Sequence, residues 1–114
     1  MNKKLAGLII LYYPKYEEVY RNISSYCGGI ETLYIIKNSN INGDFINSIE
    51  KLVKIKIIDK EEGNVGISKS LNLALAHASK DNYKWLLTMD QDTYFEENDF
   101  SLFLRSFENV NKNG

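Results

Sequence analysis

The organisation of this chain is indicated most clearly by residues 85–92, which read Trp85-Leu86-Leu87-Thr88-Met89-Asp90-Gln91-Asp92. The apolar part has the composition of a buried strand, and it ends abruptly in two carboxylates two positions apart. If the backbone stays extended through Asp92, strand alternation places both carboxylates on the same side. Two anions held that close repel each other unless a cation lies between them.

The carboxylate pair Asp90 and Asp92 therefore predicts a divalent metal site at the carboxyl end of a strand. Hard oxygen ligands favour Mg²⁺ or Mn²⁺, which keep open positions for water and for substrate phosphates. Two acidic residues in a solvated loop would give the same pattern, so this alternative stays open. A calcium loop of the EF-hand type is excluded, because its glycine and glutamate positions, counted from Asp90, hold Phe95 and Ser101.

Strands and helices alternate along the rest of the chain. The predicted strands are residues 5–13, 31–37, 54–59 and 85–89, and the predicted helices are residues 16–27, 44–53, 67–79 and 99–107. This alternation predicts an α/β fold, a Rossmann-like three-layer α/β/α arrangement with a mostly parallel sheet. Because ligands bind beyond the carboxyl ends of such strands, the loops at 12–15, 37–40, 61–66 and 90–93 should gather at one edge.

Apolar spacing predicts which faces of the last two helices are buried. In the helix that Asn64 would cap, the predicted buried stripe is Ile67, Leu71, Leu75 and Ala78. In the last helix, capped by Asn98 or Asp99, the residues predicted to face inward are Phe100, Phe103, Leu104 and Phe107. If part of this helix surface lacks its cover, the phenylalanines form an apolar patch, and a homodimer is then an expected outcome.

Length and composition narrow the class of protein. The 114 residues suit one domain, and a formal net charge of -1 without a basic stripe gives no support for nucleic-acid binding. The single cysteine, Cys27, excludes an internal disulfide and a cysteine-cluster zinc site. The basic start and apolar run of residues 1–13 superficially resemble a signal peptide, but Pro14 and charged residues follow without a cleavage site. A first buried strand is the better interpretation.

Four strand-end segments, taken together, resemble the nucleotide-sugar-binding half of glycosyltransferase family 2, and most closely its rhamnosyltransferase-like members. The segments are Leu11-Tyr12-Tyr13-Pro14, Tyr34-Ile35-Ile36-Lys37-Asn38-Ser39, Asn64-Val65-Gly66-Ile67 with Asn72, and Leu87-Thr88-Met89-Asp90-Gln91-Asp92. They correspond in order to the family's opening turn, its base-binding segment, its Asn-x-Gly-Ile pattern and its Asp-x-Asp strand end. The resemblance extends over nearly the whole chain. It implies that residues 1–114 form one truncated domain of GT-A type.

The resemblance implies a role for several of these residues. Asp92 would bind the divalent metal, Mn²⁺ or Mg²⁺, that bridges the two phosphates, and Asp90 would lie near the ribose or the donor sugar. The positions that would contact the nucleotide sugar are Tyr12, Tyr13, Asn38, Asn64, Gly66 and Asp90, and those that would hold the metal are Asp92 and Asp90. Asn72 has an equally good structural explanation, as a helix residue that hydrogen-bonds a loop.

The implied reaction transfers a sugar from a UDP- or dTDP-linked donor to a hydroxyl of a glycan or lipid-linked acceptor, in cell-surface polysaccharide synthesis. The expected location is cytoplasmic, extending to a peripheral position at the inner face of the membrane. In the family the general base lies well beyond the Asp-x-Asp motif, so no catalytic base is assigned here and the isolated chain is expected to transfer sugar poorly or not at all. The alternative is a non-catalytic nucleotide-binding or interaction module of the same fold.

One residue departs from the family pattern. Lys37 stands where the family usually has an acidic residue that contacts the edge of uracil or thymine. A lysine ammonium has no lone pair and cannot accept a hydrogen bond from the base N–H. Recognition of the base must then rely on backbone groups, or the donor carries a different base, or binding is weak.

Overall fold

A computed structural model describes residues 5–58, 67–96 and 99–105 of the chain. In chain order, the elements are β1 (Leu5–Leu11), α1 (Tyr16–Ser24), a 3₁₀ turn (Cys27–Gly29), β2 (Thr32–Lys37), α2 (Gly43–Glu50), β3 (Lys54–Ile58), α3 (Ile67–Lys80) and β4 (Trp85–Met89). Residues 99–105 are also helical. None of the helices in these ranges combines the length and the apolar character needed to cross a bilayer.

The four strands form one parallel sheet in the order β3-β2-β1-β4. Leu8 of β1 lies between Tyr34 of β2 and Thr88 of β4 in the register of the sheet. The chain therefore moves outward from β1 to β3 and then returns to the other side of β1. This reversal creates a crevice between β1 and β4 at their carboxyl ends, the usual ligand position in such sheets. The predicted α/β class with a parallel sheet is confirmed.

Helices cover both faces of the sheet, which explains the continuous apolar sequence of β1. Leu5, Ile9 and Leu11 belong to the core on the side of α1, α2 and residues 99–105. The neighbouring positions Ala6 and Leu8 pack toward α3 on the opposite side. The architecture has the three layers predicted from the sequence.

The buried face of α3 differs from the predicted stripe. The buried residues are Ser70, Ala74 and Ala78, four positions apart, whereas Leu75 is 53% exposed. Small side chains on this face allow the helix backbone to approach the sheet closely, and Leu71 packs half-buried beside them. The prediction that Leu75 is buried is wrong. It assumed that the large apolar residues of α3 face the sheet, whereas the face that contacts the sheet consists of small residues.

The helical segment at residues 99–105 also departs from prediction at one position. Phe100 is buried and Leu104 is partly buried against the core, as expected, but Phe103 remains 39% exposed. The ring of Phe103 stacks on the ring of Phe100, with centroids 5.8 Å apart, instead of entering the core. Asn98 and Phe107 lie outside the described residues.

Two tyrosines are buried in the core, and only one of their hydroxyl groups has a hydrogen-bond partner among the described residues. Tyr34 donates its hydroxyl proton to Asp81 Oδ2 at 2.5 Å, and the same oxygen accepts from Lys56 Nζ at 2.8 Å. The hydroxyl of Tyr26 is buried and has no hydrogen-bond partner among the described residues. Burial raises the pKa of both phenols well above the usual range, and for Tyr34 the hydrogen bond to Asp81 adds to this rise.

This contrast predicts opposite effects when each hydroxyl is removed. Tyr34→Phe should lower the free energy of unfolding by about 2 kcal/mol, because a hydrogen bond to a charged group is lost. Tyr26→Phe should raise it by about 1 kcal/mol, because a buried hydroxyl without a partner is removed. Urea unfolding at pH 7 measures both values. A loss of stability in Tyr26→Phe would contradict the prediction and show that its hydroxyl has a bound partner such as water.

The same phenols should make stability sensitive to alkali. Their pKa is higher in the folded state than in the unfolded chain, so folding favours the protonated form. Their contribution is complete below pH of about 10, where unfolded tyrosine titrates, and declines as the pH rises further. Unfolding measured across this range should show a weaker decline in both phenylalanine variants than in the unmodified chain.

Candidate functional site

Three loops meet at the carboxyl edge of the sheet. Tyr12 and Tyr13 follow β1, Asn38 follows β2, and Asp90 begins the loop after β4. The backbone N–H of Asn38 donates to the carbonyl oxygen of Leu11 at 2.8 Å, which joins the first two loops. The structure therefore brings these predicted positions to one edge. The other two, Asn64 and Gly66, lie outside the described residues.

The loop after β1 presents two exposed aromatic rings. Tyr12 is 56% and Tyr13 72% exposed, and their rings meet edge to face with centroids 4.7 Å apart. Tyr13 has a φ of 42°, in the left-handed region that a bulky side chain rarely adopts. Its N–H donates to Ser39 Oγ at 2.8 Å, which stabilises this conformation from the β2 loop. Such strain is typical of functional positions.

The loop after β4 is a turn and not an extension of the strand. β4 ends at Met89, and the N–H of Thr93 donates to the carbonyl oxygen of Asp90 at 3.0 Å. In return, the N–H of Asp90 donates to Thr93 Oγ1 at 3.2 Å. The extended backbone assumed for Asp90 and Asp92 is therefore wrong, because Thr93 closes the chain on itself. We call residues 90–93 the acidic turn.

Gln91, between the two carboxylates, connects the acidic turn to the β1 loop. Its Oε1 accepts from the backbone N–H of Tyr12 at 3.1 Å, and its Nε2 donates to the carbonyl oxygen of Tyr12 at 3.2 Å. A third bond comes from α1, where Asn22 Nδ2 donates to the carbonyl oxygen of Gln91 at 2.8 Å. The two bonds to Tyr12 cross the crevice between β1 and β4, and the bond from Asn22 joins the acidic turn to α1.

Sequence reasoning did not identify Gln91 or Asn22. Gln91 gave no signal, since it occupies the variable position of an Asp-x-Asp pattern. Asn22 did carry one, because it lies beside Val19 and Ile23 on the buried face of α1 and is only 6% exposed. A buried polar residue requires a hydrogen-bond partner, and here that partner is the acidic turn.

Asp90 lines a cavity of about 310 Å³ on the α3 side of the crevice. The other lining residues are Leu8, Ile10, Leu71, Thr88, Met89 and Thr93. Asp92 is exposed at the tip of the turn. Asp90 thus lines a concave surface in the crevice between β1 and β4. Asp92 exposes a second carboxylate to solvent at the same edge of the sheet.

The side chains at this edge that could bind a divalent ion, together with a ligand, are those of Asp90 and Asp92. Among residues 5–58, 67–96 and 99–105, no group of three or more histidine, cysteine or carboxylate side chains could enclose a metal. Two exposed carboxylates leave coordination positions open, which suits Mg²⁺ or Mn²⁺ bound together with substrate phosphates. A fully protein-enclosed structural metal would not fit this part of the chain.

Two further residues were considered in the sequence analysis. Lys37 lies at this edge, and Asn72 lies on α3. Lys37, the last residue of β2, is half-buried and pairs in register with Leu11. Asn72 is exposed on α3, beside the half-buried Leu71. The departure at Lys37 thus falls at the carboxyl edge, next to the residues predicted to border a base.

Comparison with known families identifies a matching family. The model of "Glycosyl transferase family 2" matches residues 9–114, which is most of the chain and includes every residue of the three loops described above. Searches of curated proteins and of solved structures each returned no significant match.

Proposed function

Because the chain belongs to glycosyl transferase family 2, a family of glycosyltransferases, we propose that its carboxyl edge binds a nucleoside-diphosphate sugar together with a divalent metal. The observation that supports this proposal is the crevice at the topological switch between β1 and β4. An aromatic pair, Tyr12 and Tyr13, follows one strand, and the acidic turn follows the other. Aromatic rings suit a nucleobase, and carboxylates suit a metal-bound diphosphate.

The proposed roles follow the positions of the side chains. Tyr12 and Tyr13 border the base with Asn38, and the acidic turn holds the metal through Asp92 with help from Asp90. Asp90 also lines the cavity and so lies where a ribose or donor sugar would enter. Asn64 and Gly66 are proposed to approach the nucleotide from the loop after β3, on the basis of the family pattern. Lys37 leaves recognition of the base edge to backbone groups.

The proposed reaction is displacement at the anomeric carbon by an acceptor hydroxyl, with a nucleoside diphosphate leaving. A bound metal supplies Lewis-acid stabilisation of the charge on the leaving diphosphate. The residues of this edge bind and orient the donor, and the crevice limits its contact with water. The proposed donor is UDP- or dTDP-linked and the acceptor a glycan or lipid-linked sugar of a cell-surface polysaccharide, as in rhamnosyltransferase-like members.

Calorimetric titration of UDP, dTDP and GDP, each with and without Mn²⁺, tests the proposal. We expect saturable binding of UDP or dTDP that requires the metal, and weaker binding of GDP. The same titrations with MgCl₂ would compare the two candidate ions. Absence of binding for all three nucleotides, by a chain that shows a cooperative unfolding transition, would contradict the proposed donor site.

A further inference from the structure

Gln91 binds a single residue across the crevice with both the oxygen and the nitrogen of its carboxamide. A primary amide offers one acceptor oxygen and a donor nitrogen, and here both bind the backbone of Tyr12, 79 positions away in sequence. Backbone N–H and C=O groups of Tyr12 are thereby fixed together, as they would be by a neighbouring strand. This pair of bonds, which we call the Gln91 clasp, extends the β1–β4 pairing beyond its last register pair, Ile9 with Met89, to the loops.

The Gln91 clasp is itself held in place from the protein interior. Asn22 is buried on α1, and its amide donates to the carbonyl oxygen of Gln91. A buried amide that lost this acceptor would pay the full cost of its desolvation, so the position of the Gln91 backbone is strongly determined. The acidic turn is therefore anchored on both sides, by α1 beneath it and by the β1 loop across the crevice.

We propose that Gln91 is a positioning residue, which sets the distance between the aromatic pair and the acidic turn so that one nucleoside diphosphate can contact both. This inference rests on the proposed function. Tyr12 is fixed through its own backbone, and Tyr13 follows directly in a conformation held by Ser39. Gln91 itself need not touch the ligand, because its effect passes through the positions of these groups.

The residue type fits this role closely. Glutamate has the same length but lacks the amide donor, so one of its oxygens would face the carbonyl oxygen of Tyr12. Asparagine has both groups but is one methylene shorter, and so it would not span the crevice without movement of a loop. Gln91 is also the single glutamine of the sequence.

Comparing the affinities of two ligands tests whether Gln91 positions the two loops or contacts the ligand directly. UDP, in the presence of Mn²⁺, needs both the aromatic pair and the acidic turn, whereas inorganic pyrophosphate with Mn²⁺ needs only the acidic turn. We expect Gln91→Ala and Gln91→Asn to weaken UDP about tenfold, as two neutral hydrogen bonds would allow. Pyrophosphate affinity should change less than twofold. Gln91→Glu should also lower the ratio of UDP to pyrophosphate affinity, although it preserves side-chain size.

Controls exclude a general loss of structure. Urea unfolding should show that each variant is folded under the titration conditions, and hydrogen exchange of the Tyr12 amide should become faster in Gln91→Ala than in the unmodified chain. Asn47→Ala removes an exposed carboxamide from α2 and serves as a matched surface variant, which should leave both affinities unchanged.

Different results would contradict the positioning role of Gln91 and the proposed donor site. Equal losses of UDP and pyrophosphate affinity, or no loss of either, would overturn the positioning role of Gln91 while the donor site stands. Failure of the unmodified chain to bind either ligand would overturn the proposed function and the inference that depends on it. Selective loss of UDP affinity supports both.

Discussion

Replacing Asp92 with alanine is expected to weaken metal-dependent binding of UDP or dTDP at least about 100-fold, since loss of even the outer partners of metal ligands commonly costs 10–100-fold. Asp92 is exposed at the tip of the acidic turn and belongs to the predicted Asp-x-Asp pattern. Without its carboxylate, the ion would keep only Asp90 from this turn. Calorimetric titration in Mn²⁺ measures the change directly, and Asp92→Asn tests whether charge or size matters.

A charge-matched control is available at the opposite edge of the sheet. Glu50 is exposed at the end of α2, away from the strand-end loops, and Glu50→Ala removes the same single negative charge. Its effect on nucleotide binding should be within twofold, because exposed charges separated by more than a Debye length of about 8 Å are screened at physiological ionic strength. Retained Mn²⁺-dependent affinity in Asp92→Ala would show that the metal is held elsewhere.

Asp90 should respond differently from Asp92 in the same titration. Its carboxylate lines the cavity beside Thr88 and Met89, where a ribose or sugar hydroxyl would be a partner. We therefore expect Asp90→Ala to weaken a nucleotide sugar more than the corresponding nucleoside diphosphate. This distinction between the two carboxylates depends on the turn closed by Thr93, because an extended strand would have given them equivalent surroundings.

The fold was predictable from the sequence because each strand and helix carries a local signal. The apolar run of β1 follows from burial on both faces, and the alternation of elements determines parallel pairing with crossovers. The position of β4 beside β1 was not predictable in this way. It depends on tertiary packing between distant segments, for which no local residue pattern provides a signal.

The candidate site was predictable in composition and not in geometry. Asp90 and Asp92 were identified as a pair, but their relative placement depends on hydrogen bonds made by Thr93. Likewise, the Gln91 clasp joins residues 79 positions apart, and only the folded chain brings them together. Leu75 on α3 is a further example. Its large apolar side chain predicted the wrong buried face, because small residues allow the helix backbone to lie close to the sheet.

Gly29→Ala is expected to cause a large loss of stability. A Cβ at Gly29 would lie 2.4 Å from Leu104 Cδ1 and 2.4 Å from Phe100 Cε2, and 3.0 Å from Phe100 Cδ2. The Phe100 ring is buried and stacks against neighbouring aromatic rings, so it cannot move aside easily. We expect a loss of about 3 kcal/mol, the upper part of the range for overpacking, because two contacts are severely short.

The adjacent glycine supplies a matched control. Gly28 lies in the same 3₁₀ turn, and a Cβ there would meet no atom within 4 Å. Gly28→Ala should therefore unfold at the same urea concentration as the unmodified chain or slightly above it, because alanine reduces the entropy of the unfolded state. If both variants unfolded alike, close packing of residues 99–105 on the turn would be disproved.

Packing at Gly29 should also influence the site, because the chain between Phe100 and the acidic turn is short. The N–H of Phe95 donates to Ser25 Oγ at 3.0 Å, close to the end of α1, and Phe95 packs against Phe100. Displacing the helical segment by Gly29→Ala would loosen this connection and allow the acidic turn more freedom. We therefore expect weaker Mn²⁺-dependent UDP binding in Gly29→Ala but not in Gly28→Ala, even at temperatures where both are folded. Equal affinities would show that the Gln91 clasp and Asn22 are sufficient to hold the turn.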